Sequence, residues 1–192
     1  MLPITEKYTV TAVFGQTGEY WATAHKGIDF VSDNKKVVAA AAGTVRVVAY
    51  DSAGWGNYVT VGDADGYIHV YCHLKSVAVS AGQKVAMGQS IGVMGSTGNA
   101  TGVHLHYQIN DKNGAAINAA EFLGIKNQKG SFLAPAMFAD HDSISDWAKE
   151  SVYYVRQKGL MVGDQSGRFN PAAPLTREQA AVILHNIAKN KE

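Results

Sequence analysis

Between residues 44 and 110 apolar and polar positions alternate in short runs: TVRVVAY (44–50), NYVTVGD (57–63), GYIHVYCHL (66–74) and VHLHYQIN (103–110). A period of two is that of a half-buried strand, and the separators SAGWG and DADG are turn formers. The stretch SVAVSAGQKVAMGQSIGVMGSTGNATG (76–102) repeats a Val-x(n)-Gly-Gln rhythm that predicts turns along one sheet edge. Seventeen of the 20 glycines lie at or before Gly130, so the front of the chain reads as an all-β domain with few helices. Beyond it the period changes. Ile144, Trp147, Ala148, Val152 and Val155 fall at helical spacing, and Ala180, Ile183, Leu184 and Ile187 mark one face of a second helix. Thr176, with Gln179 three residues on, predicts a capping box at its start. The stretch GIKNQKGSFLAPAM (124–137) separates the two regimes. The expected organisation is a first domain over 1–124, a linker over 125–136 and a small helical domain over 137–192. Two helices and a loop bury too little core alone, so the tail is expected to dock on the first domain or on copies of itself.

Composition narrows the class. An apolar fraction of 46% with 17% charged residues suits a folded chain. The net charge of +1 argues against a nucleic-acid binder driven by bulk charge. The balance is even, with 10 basic and 9 acidic residues up to Gly130 and 7 of each beyond. One cysteine, Cys72, excludes an internal disulfide and a multi-cysteine zinc site, and is expected to be a small buried strand residue. No basic segment followed by an apolar one opens the chain, and no apolar run is long enough to span a bilayer. The protein is therefore expected to be made in a cytoplasm and released by lysis, or to be exported by a signal outside the sequence given.

The chemistry lies in the histidines. His104 and His106, two residues apart in a strand-like run, share one face, which suits a metal site, an acid/base pair or merely a polar strand. His25 and Asp29 in HKGIDF share a face if that segment is extended. Strict alternation in YIHVYCHL sets His69, Tyr71 and His73 on one side and Ile68, Val70 and Cys72 on the other. A catalytic zinc site needs three nitrogen or oxygen ligands and leaves one position open. Further imidazoles nearby can then move protons or stabilise an oxyanion. Taken singly, His69, Tyr58 and Tyr107 read as packing residues, His141 and His185 as solvated ones, and Trp55 as either a packing or a rim residue.

HKGIDF, YCHL and TGVHLHYQI, in this order and with the glycine framework between them, resemble the M23 (lysostaphin/LytM-type) zinc metallopeptidases over roughly residues 10–123. The resemblance implies an antiparallel β-sheet groove of the duplicated hybrid motif type, one Zn2+ per domain, and hydrolysis of peptide bonds in bacterial peptidoglycan stems or cross-bridges. It assigns the metal to His25, Asp29 and His106, and the catalytic roles to His73 and His104. Val103 stands where the family usually has proline, and NAAEFL where a proline-containing turn is common, so loop geometry is expected to differ there. A metal-free relative that activates other wall hydrolases is the competing reading, opposed by retention of all five positions.

Residues 137–190 resemble a single S-layer-homology (SLH) repeat through FAD, Trp147, KGLMVGDQSGRFNP and LTRE. Such repeats bind secondary cell-wall polysaccharide, usually as three copies. The resemblance makes Arg177 the candidate contact to an acidic sugar, since a guanidinium offers a carboxylate two parallel donors, with Trp147 beside it. One repeat where three are usual implies self-association through the tail, for instance as a trimer, or a structural role. A hydrolase domain joined to a wall-binding module resembles a phage or prophage endolysin.

Overall fold

The computed structural model describes residues 1–5, 7–18, 23–133, 138–157 and 159–189. Contacts divide the chain into two compact units, Met1–Ala134 and Pro135–Glu192. The first is an antiparallel sheet with strands β1 (Lys7–Ala12), β2 (Ile28–Ser32), β3 (Lys36–Val38), β4 (Gly43–Asp51), β5 (Gly56–Gly62), β6 (Ile68–Val77), β7 (Lys84–Val85), β8 (Ser90–Met94), β9 (Leu105–Asn110), β10 (Ala116–Ile117) and β11 (Gly130–Leu133). Their order is β11-β1-β2-β9-β6-β5-β4-β7, with β10 on β9 and with β8 joining β3 to β6. One short helix, α1 (Ala119–Phe122), belongs to this unit. It occupies the divergent NAAEFL segment, where the Asn118 side chain accepts from the Ala120 N–H at 3.2 Å and caps it.

The long alternating runs become the central strands β4, β5, β6 and β9, as their period of two requires. Directly opposed residues of paired strands share a face. Ile28, Tyr107 and Tyr71 stand in one row across β2, β9 and β6, all fully buried in the apolar core. The adjacent row, Asp29, His106 and Cys72, projects to the other face. Cys72 is buried, as its strand position predicts.

Residues 130–133 correct the expected linker. They form β11, which pairs with β1 from Lys7↔Leu133 to Val10↔Gly130. The cause is aromatic packing: the Phe132 ring lies 5.6 Å from Tyr8, whose ring meets Phe30 edge-on at 5.6 Å. Four residues with two adjacent large apolar ones, Phe132 and Leu133, do not alternate and are too few to announce a strand by periodicity.

The second unit carries α2 (Asp146–Gln157) and α3 (Arg177–Lys189), which overlap the two helical patterns. The capping box forms as its sequence dictates: the Thr176 N–H donates to Gln179 Oε1 at 2.9 Å and the Gln179 N–H to Thr176 Oγ1 at 3.1 Å. Phe138, Ile144, Val152 and Tyr153 make its small core, and the Arg156 guanidinium stacks on Phe138 at 3.9 Å. Asp140 ties the returning loop down by accepting from the N–H groups of Phe169 and Asn170, both at 2.8 Å. Among the described residues no helix is long and apolar enough to cross a membrane.

Phe30 is fully buried where β2 meets the Tyr8–Phe132 cluster. Phe30→Ala should lower the unfolding free energy of the first unit by about 3–5 kcal/mol, measured by urea denaturation followed by near-ultraviolet circular dichroism. A loss below about 1 kcal/mol would place the stabilising core elsewhere.

Candidate metal centre

Asp29 on β2 and His106 on β9 are cross-strand partners, which sets their side chains side by side. His25 comes from the loop before β2. Its Nδ1–H donates to the Val13 carbonyl at 3.0 Å, and its backbone bonds with Gly15 N–H and Gln16 C=O, each at 2.8 Å. With Nδ1 protonated, the lone pair of neutral His25 is on Nε2. That atom lies 2.9 Å from His106 Nδ1 and 3.2 Å from Asp29 Oδ1, and His106 Nδ1 lies 2.9 Å from the same oxygen. All three residues are buried. The His106 ring needs Gly27 beneath it, since a Cβ there would stand 2.8 Å from His106 Cε1 and 2.5 Å from the Tyr107 carbonyl oxygen.

This triangle could hold a metal ion. It brings two imidazole nitrogens and a carboxylate oxygen within about 3 Å of one another. Burial alone would raise Asp29, but hydrogen bonds from His106 and His25 hold its carboxyl well below the usual range. Burial alone would lower His25, but the Asp29 carboxylate outweighs it and raises that imidazole. Two imidazole nitrogens and one carboxylate oxygen are the ligand types of a three-ligand catalytic zinc site.

His104 and His73 stand beside the triangle. His104 Nε2 is 3.9 Å from Asp29 Oδ2, and its Nδ1–H donates to the Gly102 carbonyl at 2.9 Å. The His73 ring lies 4.6 Å from that of His104 and 6.1 Å from that of His106. Its Nδ1–H donates to the Thr97 carbonyl at 2.9 Å. Burial pushes the His73 imidazole down to about 4, against the pull of that carbonyl and with the help of His104 and His106. Both rings, in their neutral forms, therefore present an Nε2 lone pair.

His73 reaches this face by breaking the alternation expected of β6. Strict alternation would put it with Tyr71 on the core side. Its φ of +61° is left-handed, a strained conformation for a residue with a Cβ, and β6 shifts register against both β5 and β8 here. The bulge sets Cys72 and His73 on the site's face and returns Leu74 to the core. Interlocked loops hold it. The His73 N–H donates to the Trp55 carbonyl at 2.8 Å, while Thr97 Oγ1 donates to the Leu74 carbonyl and accepts from the Asn57 N–H, both at 3.0 Å. Gly56, at φ +62°, lets these loops touch: a Cβ there would come within 2.4 Å of the Thr97 carbonyl.

His69 stays on the core side, between the Tyr107 hydroxyl at 2.7 Å and Asp63 Oδ2 at 3.1 Å, so both His69 and Tyr107 are packing residues. Trp55 and Tyr58 pack edge-on at 5.1 Å. In the second unit Trp147 and Arg177 are exposed, as is His185. His141 is not solvated as expected: its Nδ1 pairs with the Tyr153 hydroxyl at 2.8 Å. Val13, Gly27 and Thr97 were not foreseen. Val13 acts through its backbone, which no side-chain pattern announces.

The sequence profile of "Peptidase family M23" matches residues 23–119, and that of the "S-layer homology domain" matches residues 138–181. The chain is 40% identical over 121 residues to an "Uncharacterized metalloprotease" of Haemophilus influenzae, covering 60% of this chain and 25% of that protein. It is 41% identical over 86 residues to "Peptidoglycan DD-endopeptidase ShyC" of Vibrio cholerae, covering 44% of this chain and 20% of that one. The chain thus spans a quarter or less of the length of these two relatives. Among solved structures, the catalytic domain of the antimicrobial peptidase lysostaphin from Staphylococcus simulans superposes with a TM-score of 0.58 at 30% identity, over 61% of this chain and 92% of that one. The matched segment holds half of the chain and all five residues gathered around the triangle: the protein belongs to peptidase family M23.

Proposed function

We propose that the protein is a zinc-dependent endopeptidase that hydrolyses peptide bonds in bacterial peptidoglycan. The observation that carries this reading is the convergence of His25 Nε2, Asp29 Oδ1 and His106 Nδ1 within about 3 Å of one another, with two further Nε2 lone pairs beside them. His25, Asp29 and His106 would hold the zinc, which when bound polarises a carbonyl and acidifies water. His104 and His73 do the proton work. Each has its Nδ1–H tied to a backbone carbonyl, so each Nε2 is free to take a proton from the attacking water. The protonated ring then donates to the developing oxyanion or returns the proton to the leaving amine. Burial keeps the His73 imidazole neutral at pH 7, so its Nε2 carries a lone pair. Peptidoglycan as substrate is supported by the name of the Vibrio cholerae relative.

The second unit supports targeting to the wall. In this reading its SLH repeat binds an acidic secondary polysaccharide, with Arg177 as the carboxylate contact and Trp147 exposed to stack on sugar. Val182 and Leu184, exposed on α3, support self-association of that unit. A hydrolase and a wall-binding repeat in one chain support the role of an endolysin, acting on the wall after release from the cell that made it.

Digestion of purified peptidoglycan should release fragments whose masses show one new amine and one new carboxyl terminus, and a chelator should abolish it until zinc is restored. A fully metallated protein inert on walls of several bacteria would instead favour the regulator. His106→Ala and Asp29→Ala should lose both bound zinc and activity. His104→Ala should keep zinc, read by metal analysis, while kcat falls by about 10²–10⁴-fold; loss of zinc from that variant would overturn the division of labour. Arg177→Ala should weaken sedimentation with cell walls and leave cleavage of a soluble peptide unchanged, and unaltered sedimentation would remove Arg177 from the wall contact.

A further inference from the structure

We infer that Asn127, outside the segment matched by the family profile, is a positioning residue for the metal centre, acting on His25 through the 13–16 turn. The inference rests on the reading of His25 as a metal ligand. The turn encloses His25: Val13 supplies the carbonyl for its Nδ1–H, and Gly15 and Gln16 bond its backbone. Gln16 closes the turn on itself, its N–H reaching the Val13 carbonyl and its Oε1 accepting from the Val13 N–H. The backbone of Phe14 is held from a distance of 113 residues. Asn127 Oδ1 accepts from the Phe14 N–H and Asn127 Nδ2 donates to the Phe14 carbonyl, both at 3.0 Å. The carboxamide thus acts as one rung of a β-ladder where, among the described residues, no strand pairs with Phe14.

The topology brings Asn127 there. β11 runs antiparallel to β1 with Val10 opposite Gly130, so three residues back along that register the chain stands beside residue 13. The strand that replaced the expected linker therefore delivers a clamp to the loop that orients the first ligand. A side-chain amide both donates and accepts across one peptide unit. Asn127→Asp keeps the shape and the acceptor but sets a carboxylate oxygen against the Phe14 carbonyl. Partners that orient a metal-bound imidazole typically govern affinity by tenfold or more. Asn127 acts one step further out and through exposed bonds, each of modest net strength.

The test measures the zinc dissociation constant of the full chain by competition with a chromophoric chelator. Asn127→Ala and Asn127→Asp should each raise it by about threefold to tenfold. Ser131→Ala is the control: it removes the Thr9–Ser131 hydroxyl pair, 2.9 Å apart, from the same β1–β11 ribbon without touching the turn, and should leave zinc affinity unchanged. His25→Ala should abolish tight binding. Unchanged affinity in both Asn127 variants, with His25→Ala defective, overturns the clamp and leaves the metal reading intact. Equal weakening by Ser131→Ala overturns it too, because the effect is then general loosening of the edge. Wild-type affinity in His25→Ala overturns the ligand assignment and the inference with it.

Discussion

The pairing register of β2, β9 and β6 is the constraint on which the rest depends. With Asp29 opposite His106 and His106 opposite Cys72, the Asp29 and His106 side chains stand on one face and the row of Ile28, Tyr107 and Tyr71 fills the core behind them. A slip of one residue would exchange the faces, burying a carboxylate and an imidazole among apolar side chains and exposing two tyrosines. Burial of the core row thereby enforces the register, and the register enforces the site. Stability and chemistry are two readings of one alignment.

Much of this was legible in the sequence. The candidate site residues His25, Asp29, His104 and His106 carry their chemistry in their identity, and the period of two says which neighbours share a face. The capping box at Thr176 was equally legible because both of its bonds are local. What alternation misplaced is His73. Its facing depends on a left-handed residue held by two distant loops, and a local pattern carries no information about loops more than 15 residues away. Edge strand β11 was missed for a related reason: Phe132 finds its partner Tyr8 at the other end of the unit.

The second unit shows the same boundary. Helix spacing and caps could be read directly, while the pairing of His141 with Tyr153 and the stacking of Arg156 on Phe138 belong to tertiary packing. Trp147, placed by its spacing among apolar helix positions, is 87% exposed, which makes it a surface side chain and not part of this small core.

Three of the four histidines around the site are anchored at Nδ1 by main-chain carbonyls, those of Val13, Thr97 and Gly102. A carbonyl belongs to every amino acid. At positions such as 13 the side chain can therefore drift through evolution, or be varied in a library, while the tautomer it supports is inherited unchanged. Gln16, Thr97 and Asn127 hold the loops through their side chains, but the positions that offer only a carbonyl are in this sense decoupled from the centre. Their faces are available for new specificities, and the reactive nitrogens are insulated from that search.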